Sequence, residues 1–235
     1  MICMEGRFDR IEAMFSREGM ERLSRTKVAV FGVGGVGSWC AEALVRSGIG
    51  EMMIVDPDAI APSNLNRQLM ALDGNVGEIK VEAMAARLKA INPDIVLDVR
   101  SCAYTPQNAG EFDLGSCDFV VDAIDSLVNK AALVRHALSF GNVRLFSSMG
   151  AAMKKDPTQV RTSVFRKIEG DPLARALRGI FRKSGGIPER DFVCVWSPEK
   201  RIEPAIPGIK GSFVCATAAF GLALAALVVD SAISR

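Results

Sequence analysis

The chain of 235 residues has one histidine, one tyrosine and two tryptophans. With His136 alone, neither a Ser-His-Asp relay nor a histidine-ligated metal centre has its parts. His136 falls in the middle of a helical stretch and reads as a structural residue. The six cysteines, at 3, 40, 102, 117, 194 and 215, include no C-x-x-C pair, so the spacing of a four-cysteine zinc site is missing. No basic-then-apolar leader precedes the first charged segment. Thiols in apolar stretches and no such leader predict a reducing, cytoplasmic setting. Charge of one sign is not in excess, with 29 Lys/Arg against 27 Asp/Glu. The 10 prolines and 21 glycines are scattered, which excludes collagen-like and low-complexity chains. Long apolar runs are also lacking but for one, 211–229. That run approaches the length of a membrane span. It is rich in Ala and Gly, however, and ends at Asp230 rather than in a basic cluster. A buried helix over 211–230 is expected, without stable membrane insertion.

What is present is uneven. Residues 1–153 hold 15 basic and 19 acidic side chains, whereas 154–210 hold 13 and 7. A solvated surface accounts for such a bias, and so does a polyanionic partner for the back segment. Apolar, β-branched runs at 27–32, 51–56, 95–100, 117–123 and 143–149 read as buried strands. Between them, 36–48, 78–92 and 127–140 carry apolar residues at helical spacing, and an amphipathic helix over 4–25 precedes them. Alternation of strand and helix predicts a doubly wound, Rossmann-like α/β fold with a mainly parallel sheet and helices on both faces. After 150 the pattern changes. Strands at 158–165 and 191–197, the first alternating as an antiparallel strand does, should extend the sheet. DPLARALRGIFRK opens with an N-capping Asp171 and Pro172. The segment 199–210 reads as a loop. The expected organisation is 1–150 as a nucleotide-binding unit and 151–235 as an extension packed on the same sheet.

GVGGVG at 32–37 satisfies G-x-G-x-x-G between a strand and a helix, with Gly32, Gly34, Gly35 and Gly37 letting a phosphate approach backbone amides. Asp56 ends the second strand, where a carboxylate meets a ribose hydroxyl. To this point a dehydrogenase fits. The next residues do not fit one. VDPDAIAPSNLNRQ supplies Asp58, Asn64, Asn66, Arg67 and Gln68; GEIK puts Lys80 at a helix start; VVDAIDS puts Asp122, Asp125 and Ser126 at the end of the fourth strand. Hydride transfer needs no such cations. Attack of a carboxylate on the α-phosphate of ATP does, because charge grows on the phosphate oxygens and fixed Arg and Lys stabilise it. Asp125 can supply an oxygen to magnesium.

This ordered set, D-x-D, S-N-x-N-R-Q, G-x-x-K-V-E and D-A-I-D, resembles the ThiF/MoeB/HesA superfamily of adenylating domains over roughly 7–150. The resemblance implies that Gly35, Asp56, Asn64, Arg67, Lys80 and Asp125 bind ATP and magnesium. RFDR at 7–10 is similar to an N-terminal R-Y-x-R, which implies that Arg10 reaches the phosphates of a partner subunit in a homodimer. Within the superfamily, AEALVRSGIG, NVGEIKVEAMAARLKAINP, DPTQV, DPLA, VWSPE and the closing A-T-A-x-F-G helix resemble the tRNA threonylcarbamoyladenosine dehydratase branch. That branch uses ATP to activate the threonyl carboxylate of the modified adenosine next to the anticodon, and loss of water closes a ring. Two other readings stay open: an activator of a ubiquitin-like sulfur carrier, whose relatives usually carry two C-x-x-C pairs, and a non-catalytic nucleotide-binding regulator. A sulfur-transfer or docking protein is a further candidate partner. Arg175, Arg178, Arg182 and Lys183 share one helix face, either solvated or set against tRNA phosphates. Cys194 reads as core rather than as a thioester nucleophile, since ring closure is intramolecular.

Overall fold

In the computed structural model residues 6–234 are described. Cys3 and the first residues of the helix expected over 4–25 lie outside them. Among the described residues the apolar runs form seven short strands: β1 (Lys27–Phe31), β2 (Glu51–Val55), β3 (Val96–Arg100), β4 (Phe119–Asp122), β5 (Arg144–Ser148), β6 (Arg161–Val164) and β7 (Val193–Trp196). They make one sheet in the order β3-β2-β1-β4-β5-β7-β6. All neighbours are parallel except β6 against β7. The antiparallel extension is therefore one edge ladder, and β7 continues the parallel run from β5. Strands β1 and β4 are buried along most of their length, as expected of a sheet covered on both faces.

Six α-helices among the described residues cover the sheet: α1 (Asp9–Arg25), α2 (Gly37–Arg46), α3 (Lys80–Ile91), α4 (Leu127–Ser139), α5 (Pro172–Lys183) and α6 (Val214–Ile233). Leu44 of α2, Met84 of α3 and Phe220 of α6 belong to the core on one face. Val134 of α4 with Leu177 and Phe181 of α5 belong to the core on the other. Each such side chain, fully removed from water, contributes roughly 1.5–3 kcal/mol. The amphipathic helix α1 is interrupted at Ser16, whose φ of 64° breaks the turn. Its hydroxyl accepts from the Gly19 amide and caps the second half.

The long apolar run is helix α6. Phe220, Leu224 and Val228 are sealed in the core, and Leu222 is half exposed. Gly221 lets it lie against α2: a Cβ there would stand 2.3 Å from the Val36 carbonyl oxygen. A helix long and apolar enough to cross a membrane is thus built here as a core element.

The chain runs from β1 outward through β2 and β3, then returns to the other side of β1 for β4 and β5. The order reverses between β1 and β4, and a crevice opens there at the carboxyl ends of the strands. That position collects most of the residues the sequence assigns to a nucleotide site.

Candidate active site

β1 ends in a turn whose first residue, Gly32, has φ of 86°. A Cβ would lie 2.7 Å from the carbonyl oxygen of Ala123, so the turn requires glycine. The Gly32 amide donates to the Val55 carbonyl at 2.7 Å, tying the turn to β2. Gly34 and Gly35 follow, and Gly37 opens α2. The Gly34 and Gly35 amides donate to no group among the described residues. A helix N-terminus with open amides favours anions.

The turn forms one wall of a cavity of about 470 Å³. This is an ordinary size for a small-molecule site. Gly32, Gly34, Gly35, Asp56, Asp58, Asn64, Arg67, Gln68, Lys80, Asp125 and Ser126 all line it.

Asp56, at the end of β2, is buried. Its Oδ2 accepts from the Val33 amide at 2.9 Å and its Oδ1 from the Asp58 amide at 3.0 Å. Burial pushes its carboxyl above the usual range, opposed by nearby Lys80 and these two amides. Lys80 begins α3 and is itself buried. Its Nζ lies 2.7 Å from Asp58 Oδ2 and 3.7 Å from Asp56 Oδ1. Asp58 is largely exposed, so it can yield its lysine to an incoming phosphate at small cost.

The 3₁₀ turn Pro62–Asn64 sets the next group. Asn64 is turned inward, and its Oδ1 accepts from the Ala61 amide at 3.0 Å. Arg67 lies over Gly35, with Cγ 3.0 Å from where a Cβ on that glycine would be. Its Nη1 donates to the Ser63 carbonyl and to Asn66 Oδ1. Asn66 in turn donates to the Ser212 carbonyl at 2.9 Å. Asn66 is thus a brace between Arg67 and the C-terminal segment, off the cavity wall. Gln68 Oε1 is buried without a partner among the described residues. An orphaned acceptor on a cavity wall is satisfied when a ligand or water donates to it.

A sequence profile of the ThiF family matches residues 8–228. The chain belongs to the ThiF family. It is 33% identical to the tRNA threonylcarbamoyladenosine dehydratase of Haemophilus influenzae, over 98% of this chain and 95% of that one. It is 42% identical to the protein of that name from Bacillus subtilis, over 76% and 70% of the two chains. The fold matches the crystal structure of the Escherichia coli tRNA N6-threonylcarbamoyladenosine dehydratase with AMP, at a TM-score of 0.92 and 32% identity, covering 100% and 98% of the chains. The same protein with ATP matches at 0.91 and 33% identity, covering 97% and 94%.

Several residues stand apart from the sequence reading. Asp122 does not line the cavity. It is fully buried beneath the wall, its Oδ2 accepting from Lys130 Nζ and Ser147 Oγ, each at 2.6 Å. Its Oδ1 accepts from the Ile124 amide at 3.1 Å. Lys130 also donates to the Ser148 carbonyl at 3.1 Å. One buried ion pair thereby fixes both the 123–126 turn, which carries Asp125, and the end of β5. Sequence reasoning misses Lys130, because a lysine on an apolar helix face gives no sign of a buried partner.

Arg10 is exposed on α1 and does not line this chain's cavity. On α5, Arg175, Arg182 and Lys183 are exposed. Arg178 turns inward instead. Its Nη2 donates to the Phe165 and Ile168 carbonyls at 2.8 and 2.6 Å, and the guanidinium lies over the Phe165 ring. Helical spacing alone could not separate it from its neighbours. His136 accepts or donates a 3.0 Å bond with the Tyr104 hydroxyl, a packing role. Cys194 is buried in β7, and burial holds its thiol well above the ordinary range, which disfavours a thiolate. Two further cations line the cavity from the loop expected to be featureless: Arg201 and Lys210.

Proposed function

We propose that the chain is an ATP-dependent dehydratase of threonylcarbamoyladenosine in tRNA, working through an acyl-adenylate. The observation that carries this is the gathering of the glycine turn, Arg67, Lys80 and Asp125 on one cavity at the sheet's switch point. The open amides of Gly34 and Gly35 receive phosphate, and Asp56 accepts from the ribose hydroxyls. An oxygen of the threonyl carboxylate attacks the α-phosphorus. The bond to the bridging oxygen breaks, and pyrophosphate leaves with the electron pair. Arg67 and Lys80 stabilise the charge that grows on the phosphate oxygens. The carbamoyl group then attacks the activated acyl carbon and gives up an N–H proton, the ring closes, and AMP departs with the acyl C–O electron pair. The water lost from the nucleoside is consumed in splitting ATP to AMP and pyrophosphate.

Magnesium fits this wall. The ion keeps several waters and takes one or two carboxylates besides substrate phosphates. Asp125 is one exposed carboxylate on the phosphate side of the cavity. Bound there, the metal would neutralise phosphate charge.

Residues 1–150 form the nucleotide half, and 151–235 bring the second substrate to it. Arg175, Arg182 and Lys183 supply exposed charge for tRNA phosphates. The enzyme acts as a cytoplasmic homodimer, with Arg10 directed to the partner's site, and a sulfur-transfer protein is a candidate for docking. Pyrophosphate release tests the reading against its rivals. It should require ATP and modified tRNA together. Release with a carrier protein ending in Gly-Gly would support the sulfur-carrier reading, and no release with either substrate would support a non-catalytic regulator.

A further inference from the structure

The cavity has two walls of different origin. One comes from residues 32–126 and holds the phosphate-binding groups. The other comes from the turn after β5 and from residues 199–213, and it presents Arg201 and Lys210. Neither cation makes an ion pair or hydrogen bond among the described residues.

Their placement is not incidental to a loose loop. Met153, with φ of 61°, grips that loop at two points. Its carbonyl accepts from the Ile202 amide at 2.9 Å, and its amide donates to the Gly211 carbonyl at 3.0 Å. Arg201 and Lys210 are the residues immediately before these two anchors. Beside them, the Lys154 ammonium is buried and donates to the Ser197 and Glu199 carbonyls, each at 2.8 Å, pinning the loop's start. Asn66 ties the loop's end to the phosphate wall through the Ser212 carbonyl. Arg201 Nη2 sits 3.3 Å from where a Cβ on Gly150 would be, so the guanidinium occupies space that glycine leaves open.

Resting on the dehydratase reading above, we propose that Arg201 and Lys210 bind the carboxylate that is to be adenylated. The reaction asks an anion to approach a polyanion. Arg67 and Lys80 serve the phosphates. A second pair of cations on the facing wall would receive the attacking carboxylate and hold it against the α-phosphorus. An arginine fork fits a carboxylate in a bidentate manner, and a charge-assisted bond of this kind is among the stronger ones.

The test uses the full chain with Arg201→Gln, Lys210→Gln and Arg201→Lys. Binding is measured to ATP, to tRNA carrying threonylcarbamoyladenosine, and to the same tRNA without that group. Each Gln variant should weaken binding of modified tRNA roughly tenfold or more and raise its KM. Affinity for ATP and for unmodified tRNA should stay at the wild-type value. Arg201→Lys should recover part of the loss. Equal loss on both tRNAs would overturn the proposal, because it would place the cations on tRNA phosphates. Weakened ATP binding would overturn it too, by assigning them to the nucleotide. Failure of the dehydratase reading would be seen first and separately, as wild-type protein releasing no pyrophosphate with modified tRNA.

Discussion

Lys80 joins a structural ion pair to the chemistry proposed for the site. Sequence alone places it at the site and outside the core, so that its loss should spare the fold. In the structure it is buried between Asp56 and Asp58. Lys80→Ala should therefore lower the rate on the order of a hundredfold and also cost about 1–3 kcal/mol of stability. Arg67→Ala, which leaves no buried charge unpaired, should show the rate loss alone. Denaturant unfolding and single-turnover kinetics on both variants separate the two effects. Asp56 carries a pH signature. Its carboxyl is held above the usual range by burial, so its neutral form persists to higher pH than in the unfolded chain. The sign follows. The stability associated with this group is fully present below the unfolded pKa and declines as pH rises through the folded one. In the proposed function Asp56 accepts from the ribose hydroxyls in its ionised form, so ATP affinity should fall as pH drops through that raised pKa. Asp56→Asn should bind ATP more weakly and lose this dependence, as nucleotide titrations at several pH values would show. Lys130 belongs to stability. Lys130→Met strands the fully buried Asp122 carboxylate and should cost about 3–5 kcal/mol in denaturant unfolding. Adding Asp122→Asn should recover part of that.

At the scale of elements, the parallel strands and their helices are legible because each repeats a local rule. β-branched runs end in glycine or acid, and apolar residues recur at i, i+3 and i+4. Asp171 and Pro172 open α5 as their chemistry requires, with Asp171 Oδ1 accepting from the Ala174 amide at 2.9 Å. The break in α1 at Ser16 is not legible, since the apolar spacing continues across it. Nor is the inward turn of Arg178, which depends on carbonyls from a segment ten or more residues earlier. This divides the basic face of α5 into two kinds of residue. Changing Arg175, Arg182 and Lys183 to Gln should flatten the salt dependence of tRNA binding by roughly one unit of log–log slope per charge and leave stability unchanged. Arg178→Gln should do the opposite, lowering the melting temperature with little change in slope. Salt titrations of tRNA binding with thermal unfolding distinguish them.

Across the whole molecule, the cavity wall to which the proposed function assigns the phosphates could be placed from sequence because its residues follow β1, β2 and β4 in short motifs. The facing half could not. Arg201 and Lys210 sit in a prolyl loop without period, and only Met153, some fifty residues earlier, brings them to the cavity. Long-range anchoring of this kind leaves no local pattern. The sheet unites the halves, since β7 pairs with β5 and carries the second half onto the strand that ends at the cavity. The most direct measurement is therefore of the product. tRNA bearing threonylcarbamoyladenosine is incubated with ATP and the full chain, digested to nucleosides, and weighed by mass spectrometry. The expected product is a modified nucleoside lighter by one water, with one AMP formed for each. A nucleoside of unchanged mass, with pyrophosphate released instead on a Gly-Gly carrier protein, would contradict it.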